Sequence, residues 1–184
     1  MSITRAVTWA AGGLVVSPAL EYAWHAWIAH GTGKDPTRAA HLEHHRTAHT
    51  EGDPWAEIRE NAPRIVGTAG AIALVLTPFL GPSRALGLAA GLGAGYVAIT
   101  LSHNRMHERG PRSPFEDALW RAHFHHHYVD PKVNFGLTSL FFDRVFGTAV
   151  DPEQVVIRAE RAPSWWARDR EAGERAHIHV QAAG

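Results

Sequence analysis

Ten of the fourteen histidines in this chain fall into four short clusters with the spacing of metal ligands. On a helix, side chains three or four positions apart share a face, so HxxHH directs three imidazoles toward one point and HxxxH directs two. Ten imidazoles are too many for one metal ion and suit two. The fold is therefore predicted to bring separate segments together around a dimetal site. The predicted ligands, in the patterns HxxxxH, HxxHH, HxxxH and HxxHH, are His25, His30, His41, His44, His45, His103, His107, His123, His126 and His127.

The first pair, His25 and His30, does not suit a regular helix, because residues five apart are separated by about 140° around its axis. His30 precedes Gly31, so we expect it to leave the helix end and bend back. A reading of the clusters as solvated surface histidines is disfavoured, because all four lie at the ends of predicted spans or on neighbouring helices. That reading suits the histidines outside the pattern, which are His49, His125, His177 and His179.

The composition limits the chemistry of the site. The chain has no cysteine, which excludes disulfides, thiolate zinc sites and cysteine-ligated iron–sulfur clusters. Any metal must therefore be bound through nitrogen or oxygen, and neutral imidazole suits iron, copper, zinc or nickel. The formal net charge is +0 with histidine neutral, so nothing indicates a nucleic-acid partner.

The charge distribution indicates a membrane protein. Three stretches are apolar and nearly free of charge: Ala6–Leu20, continued by Trp24–Ala29; Ile65–Leu80; and Ala85–Leu101. Each is close to the length of about 20 residues that crosses a bilayer. Of the 18 lysines and arginines, all but Arg5 and Arg84 lie in segments 31–64 and 103–184. The positive-inside rule then places both histidine-rich segments in the cytoplasm and the turn near Arg84 on the other side.

The alternative is that these stretches are buried helices of a soluble protein. The mean hydropathy of −0.19 favours that alternative, but the polar half of the chain lowers the mean. We therefore expect an integral membrane protein. No cleavable signal peptide is expected, because a single arginine precedes the first apolar run and that run leads directly into the first histidine pair.

Local signals predict where the helices begin and end. A first helix is expected from about Thr4 to Ala29, with a kink or break at Pro18. The pairs Asp35-Pro36 and Asp53-Pro54 each resemble an N-cap followed by proline in the first turn. The first of these pairs would start the helix that carries His41, His44 and His45, and the second would start a helix toward Arg64.

Later segments carry equally specific signals. The last two apolar stretches are predicted to form a hairpin through Gly81-Pro82-Ser83. The pattern Gly87-x3-Gly91-x3-Gly95 places small residues on one helix face, which favours close helix packing in lipid over space for a substrate chain. Ser113-Pro114-Phe115-Glu116 is a capping box that begins the helix with the last histidine cluster.

The four histidine motifs, in this order, resemble those of the fatty acid hydroxylase and sterol desaturase superfamily of integral-membrane di-iron enzymes. The resemblance runs from His25 to about Thr148 and includes the closing residues Asn134-Phe135-Gly136 and Asp143-x2-Phe146-Gly147-Thr148. It implies an all-α, integral-membrane helical bundle of about three to four spans with a cytoplasmic helical cap that holds the dimetal site. Residues 1–150 would form the membrane-embedded domain, and 151–184 would be a polar cytoplasmic tail, on the surface or partly disordered.

The resemblance also implies the cofactors and partners. Two iron ions would be bound by the ten histidines, with dioxygen as co-substrate, although zinc can replace iron at an all-histidine site. The substrate would be a lipid or another hydrophobic molecule. No stretch resembles a fused cytochrome b5 domain, so electrons would come from a separate reductase system of the ferredoxin or cytochrome b5 type. No further cofactor and no catalytic side chain beyond the ligands is predicted.

Three residues are candidates for supporting the ligands, because metal-bound histidines usually donate their other ring N–H to a carboxylate, carbonyl or water. Glu43 lies within a histidine cluster, and Asn134 and Asp143 belong to the closing motif. An equally plain interpretation of Asp143 is a partner of Arg144 or a helix cap.

Three functions fit this pattern. The first is lipid hydroxylation. The second is desaturation, or hydroxylation of a carotenoid, by the same dimetal chemistry; the short length is similar to that of bacterial β-carotene hydroxylases, whereas the closing motif resembles the fatty acid and sterol branch. The third is metal transport or storage. It is disfavoured because transporters place ionisable ligands near the bilayer midplane, and here the histidines gather at one face.

Overall fold

The computed structural model describes residues 2–34, 36–47, 53 and 55–181. Within these ranges the chain is mainly helical, and two short strands follow the last histidine cluster. The elements are α1 (Ile3–Ala23), a π-helical turn (Trp24–Ala29), α2 (Pro36–Thr47), α3 (Ala56–Leu80), α4 (Pro82–Glu108), α5 (Pro114–Tyr128), α6 (Phe141–Phe146), β1 (Val155–Arg158), a 3-10 turn (Ala159–Arg161), α7 (Arg170–Arg175) and β2 (Ile178–Gln181).

Among the described residues, three helical segments are long and apolar enough to cross a membrane: Ile3–Ala29, Ala56–Leu80 and Pro82–Glu108. Their outer faces are apolar and open, as Leu74 and Phe79 show with exposures of 76 % and 80 %. Apolar surface of this extent is unfavourable in water and suits lipid. The protein is therefore an integral membrane protein, and the predicted all-α membrane bundle is confirmed.

The predicted apolar stretch Ile65–Leu80 is part of a longer helix. α3 continues through Pro63 and past Arg64 to Leu80, so the two helical pieces expected there are one. Asp53 accepts the N–H of Trp55 at 2.8 Å just before this helix; Pro54 lies outside the described residues. α2 begins at Pro36 as predicted, and its expected cap, Asp35, also lies outside the described residues.

Three further local predictions can be compared with the structure. The hairpin forms at Gly81, whose φ of 76° is one that other residues rarely adopt. Of the kink or break that was expected at Pro18, the break is absent, because α1 continues through this residue. The capping box is present in part: Ser113 Oγ accepts the N–H of Glu116 at 3.2 Å, whereas the Glu116 carboxylate binds Arg109 and the N–H of Arg112.

Glycines bring α1 and α4 into backbone contact. A Cβ at Gly91 would lie 2.0 Å from the carbonyl oxygen of Ala10, and one at Gly87 would lie 2.2 Å from that of Ala6. This contact confirms the prediction of close packing rather than substrate space. It also fixes the helix that carries the first histidine pair against the helix that carries HxxxH.

The segment after residue 150 contributes to the core of the cap. β1 and β2 pair in parallel, with Val155 opposite Ile178. One hydrophobic cluster joins residues of α4 and α5 to residues of this segment: Met106, Leu119, Trp120, Phe124, Val155, Ile157, Trp165, Ala176 and Ile178. Trp165 also donates its indole N–H to the carbonyl of Met106 at 2.9 Å. A polar tail that was expected on the surface or partly disordered therefore packs over the end of α4, and its strands were not predicted.

The glycine contact can be tested with one added methyl group. We expect Gly91→Ala to lower the thermal unfolding midpoint in detergent, because overpacking at a tight contact costs about 1–3 kcal/mol. Gly12→Ala is the matched control, since a Cβ at Gly12 meets nothing within 4 Å. Equal midpoints for the two variants would contradict the close packing of α1 and α4.

Candidate metal centre

The structure gathers the predicted histidines into two adjacent clusters. Within each, one ring nitrogen per residue lies within 4.8 Å of all the others. The first cluster contains His25, His30, His41, His45 and His126, and the second contains His44, His103, His107 and His127. His123 joins the second, because its Nε2 lies 2.9 Å from Nε2 of His107. All ten predicted residues thus meet, five in each cluster.

Each HxxHH motif serves both clusters instead of one point. In α2, His41 and His45 face the first cluster and His44 the second. In α5 the division is reversed: His126 faces the first, and His123 and His127 face the second. Successive residues on a helix are about 100° apart, so positions i+3 and i+4 can face neighbouring centres. The expectation that each motif converges on a single point is therefore corrected.

The first pair is brought together by a π-helical turn. The backbone N–H of His30 donates to the carbonyl of His25 at 3.0 Å, the i→i+5 bond of a π-helix. The two ring centroids lie 5.2 Å apart. The wider π-helical turn removes the angular mismatch of a regular helix. His30 therefore meets His25 at the end of this turn, and the expectation that it bends back beyond the helix is corrected.

Two backbone carbonyls fix the orientation of two rings. His25 Nδ1 lies 2.5 Å from the carbonyl oxygen of Phe135, and His126 Nδ1 lies 2.7 Å from that of Val133. A carbonyl only accepts, so the neutral rings carry the proton on Nδ1. The Nε2 lone pairs then face the first cluster.

The ring nitrogens in the clusters cannot satisfy one another. Nε2 of His41 lies 2.9 Å from Nε2 of His30 and 3.1 Å from Nε2 of both His25 and His45. One N–H can serve only one of these contacts. Within the two clusters, the buried nitrogens without a hydrogen-bond partner among the described residues are His103 Nε2, His107 Nδ1, His123 Nδ1 and both ring nitrogens of His127. A cation in each cluster would satisfy converging lone pairs, so the residues fit two metal ions.

Four histidines of the clusters, His30, His45, His126 and His127, are neutral at ordinary pH. Burial, and then the neighbouring Arg38, lower the pKa of His30 to about 4. Burial, and then nearby imidazoles, lower the pKa of His45 to about 3. The pKa values of His126 and His127 are also well below the usual value, chiefly through burial. Neutral imidazole is the form that binds metal, so these groups need not lose a proton first.

Asn134 and Asp143 contact the turn that orients the rings. Asp143 is buried and accepts the N–H of Phe135 at 2.7 Å and that of Gly136 at 2.9 Å. Asn134 has a φ of 56°, and its side chain accepts the N–H of Val150 at 2.8 Å. Asp143 therefore faces this turn, and among the described residues it forms no ion pair with Arg144.

The remaining candidates lie elsewhere. Glu43 is exposed and binds Arg46 at 2.6 Å, which lowers the pKa of its carboxyl; it is in neither cluster. His125, His177 and His179 are also in neither cluster, and His49 lies outside the described residues.

One residue at the site, Glu21, was missed in the sequence. It is buried in α1, and its Oε1 lies 3.6 Å from Nδ1 of His25. The signal was present: Glu21 is the one acidic residue in the first 34, it interrupts an apolar span, and it precedes His25 by four positions. An ionisable residue in such a span is costly and indicates a functional role.

Fold and site together define a membrane-embedded helical protein with two adjacent histidine clusters that fit metal ions. The family model for fatty acid hydroxylase matches residues 10–148. The chain therefore belongs to the fatty acid hydroxylase family, as its motifs predicted.

Individual relatives agree with this assignment. The chain is 26 % identical over 162 residues to dihydroceramide fatty acyl 2-hydroxylase FAH2 of Arabidopsis thaliana. This alignment covers 80 % of this chain and 65 % of that protein. FAH1 of the same plant is 29 % identical over 144 residues, 74 % of this chain and 58 % of that protein. The ceramide very long chain fatty acid hydroxylase scs7 of Schizosaccharomyces pombe is 43 % identical over 65 residues, 34 % of this chain and 19 % of that protein.

A solved structure shows the same fold. The hydroxylase domain of full-length scs7p aligns with a TM-score of 0.59 at 24 % identity, covering 83 % of this chain and 59 % of that one. This chain thus spans about two thirds, or less, of the length of the relatives that it matches.

The lowered pKa values predict how the metal-free protein responds to acid. Unfolded imidazoles take up protons near pH 6.5, whereas folded His30 and His45 stay neutral down to pKa values of about 4 and 3. The unfolded state binds more protons between these limits, so stability falls as the pH falls. We expect the unfolding midpoint of chelator-treated protein to decrease below about pH 6.5. The decrease should be smaller in His45→Gln, and a flat profile would contradict the neutral state of these rings.

Proposed function

We propose that this protein is a dioxygen-dependent di-iron enzyme that hydroxylates an unactivated C–H bond of a fatty acyl lipid. The observation that carries the proposal is the pair of five-histidine clusters, which α2 and α5 complete beside the ends of two membrane helices, in a member of the fatty acid hydroxylase family. The relatives named above are fatty acyl hydroxylases. The hydroxylase activity of these relatives supports hydroxylation over desaturation for this chain.

The ten histidines are the proposed ligands, with one iron in each cluster. Bound iron would supply the activation of dioxygen with two electrons, which no side chain of the protein provides. An all-imidazole donor set also accepts zinc, so the choice of iron follows from the family. The protein's own contribution is to fix the rings, keep them neutral and bury them.

Ring orientation is the first of these contributions. The carbonyls of Phe135 and Val133 hold His25 and His126 with Nε2 toward the first cluster. Both rings are almost fully buried, so water does not compete for their N–H groups. The centre is thereby preorganised before a metal arrives, which limits the reorganisation that binding requires.

A lipid substrate suits the position of the site. The π-helical turn at the end of the first span carries exposed apolar side chains, including Trp24, Trp27 and Ile28. The Trp24 ring lies 5.8 Å from the ring of His41. An acyl chain approaching from the bilayer would thus meet apolar surface beside the first cluster. Electrons would come from a separate ferredoxin or cytochrome b5 type system on the cytoplasmic side.

Activity can be tested by removing one ligand from each cluster. We expect His126→Ala and His44→Ala each to abolish hydroxylated product in a host supplied with candidate fatty acyl lipids, and to lower the metal content. His177→Ala is the control, because His177 is exposed and in neither cluster. Mass spectrometry of the extracted lipids is the measurement. Full activity of His126→Ala would refute the ligand assignment, and products with only new double bonds would refute hydroxylation.

The cytoplasmic orientation of the cap has a direct test, because the chain contains no cysteine. We expect Arg84→Cys to react with a membrane-impermeant maleimide in intact cells. Lys132→Cys, an exposed cap residue, should react only after the cells are opened. The reverse pattern would invert the proposed topology.

A further inference from the structure

Glu21 is a buried carboxylate inside the first membrane-spanning segment. Its side chain is 5 % exposed, and that of His25, one helical turn later, is 1 % exposed. A carboxylate withdrawn from water needs hydrogen bonds or a nearby positive charge to remain there. Within the described part of the chain, no lysine or arginine forms an ion pair with Glu21, and His25 is the partner within 4 Å.

The two carboxylate oxygens have different surroundings. Oε2 accepts the backbone N–H of Leu137 at 3.5 Å. Oε1 lies 3.6 Å from Nδ1 of His25 and has no hydrogen-bond partner within the described residues. The proton on that Nδ1 already binds the carbonyl of Phe135. Glu21 therefore lies beside the N–H side of the His25 ring, opposite the nitrogen that faces the first cluster.

Glu21 and Asp143 together bind three consecutive amides. Asp143 accepts the N–H groups of Phe135 and Gly136, and Glu21 accepts that of Leu137. The same turn supplies the carbonyl that holds His25. A carboxylate from the first span and one from α6 thus fix the backbone that orients this ring.

We propose that Glu21 is a positioning residue of the metal centre, which holds His25 and the turn at Phe135–Leu137 in place and, when a cation occupies the first cluster, supplies negative charge behind the His25 ring. This role rests on the metal centre of the proposed function. A carboxylate on the far side of a ligating imidazole orients the ring and makes it a stronger donor, and removing such a partner typically lowers metal affinity by about 10–100-fold. A cation in the first cluster would in turn offset the charge of the buried carboxylate.

The location of Glu21 makes the expected effect selective. Glu21 contacts His25, a member of the first cluster. The second cluster is held by α2, α4 and α5 and has no member in the first span. Loss of the Glu21 charge should therefore weaken one metal and leave the other nearly unchanged.

The experiment compares metal release from wild type, Glu21→Gln and a control. Each full-length protein is purified in detergent, loaded with Co²⁺, and mixed with excess chelator, and the release of each equivalent is followed spectroscopically. The control is Ser17→Ala, one turn earlier on the same helix, which removes a buried hydroxyl bonded to the carbonyl of Leu14. We expect Glu21→Gln to release one equivalent at least about tenfold faster than wild type, while the second equivalent and both equivalents in Ser17→Ala keep the wild-type rate.

A second variant, Glu21→Asp, is measured in parallel. It keeps the charge but withdraws it by one methylene, so we expect acceleration of the same single phase. This variant also tests the role of Glu21 if Glu21→Gln is not recovered as folded protein. Wild-type rates for both equivalents in these variants would overturn the role of Glu21 while leaving the proposed function intact.

Two other outcomes can be distinguished from the selective release of one metal equivalent. Equal acceleration of both equivalents, with a matching fall in the unfolding midpoint, would show a general packing role and overturn the selective one. A wild-type protein that binds no metal in either cluster would overturn the proposed function, and the positioning role with it.

Discussion

Ten imidazoles in contact with one another cannot be stabilised by their own hydrogen bonds, and the rest of the structure responds to this constraint. Each neutral ring has one N–H and one lone pair. Where Nδ1 donates outward, as in His25 and His126, the lone pair on Nε2 faces Nε2 of another ring, His41 or His45, at 3.1 Å. A cation inside each cluster would satisfy these lone pairs, and a rigid support outside the clusters keeps the rings from rotating apart.

The outer support comes from a turn that is distant in sequence from the rings it holds. His25 and Phe135 are 110 residues apart, yet the carbonyl of Phe135 fixes the His25 ring. Asp143, from α6, holds that turn and accepts the hydroxyl of Thr148, which contacts the hydroxyl of Tyr22 in α1. The contact between α1 and α4 at Gly91 then fixes the position of His25, along the helix axes, relative to the histidines of α4. Membrane packing and ring orientation are thus parts of one connected structure.

The sequence predicted those features that depend on short spacing. These features are the ten histidines, the capping residue Ser113 and the glycine face of α4. In the structure the histidines cluster, Ser113 caps its helix, and the glycines contact α1. The sequence did not predict the π-helical turn, because the same HxxxxH pattern fits a helix that simply ends. The division of each HxxHH motif and the roles of Glu21 and Phe135 depend on elements that meet only after folding. Strands β1 and β2 have four residues each, too short for alternation to be distinguished from chance.

The division of the HxxHH motifs has a mechanical consequence. α2 contributes two rings to the first cluster and one to the second, and α5 contributes one to the first and two to the second. Each helix therefore spans both centres, so the distance between the centres is set by helix geometry, which is stiff, and not by a loop. A shift of either helix would disturb both clusters at once. By contrast, the first span contributes only to the first cluster and α4 only to the second, so a local change in one of these two helices acts directly on one centre. The helices α2 and α5 therefore couple the two centres, whereas the first span contacts only the first centre. For this reason, Glu21 in the first span is expected to act on one centre.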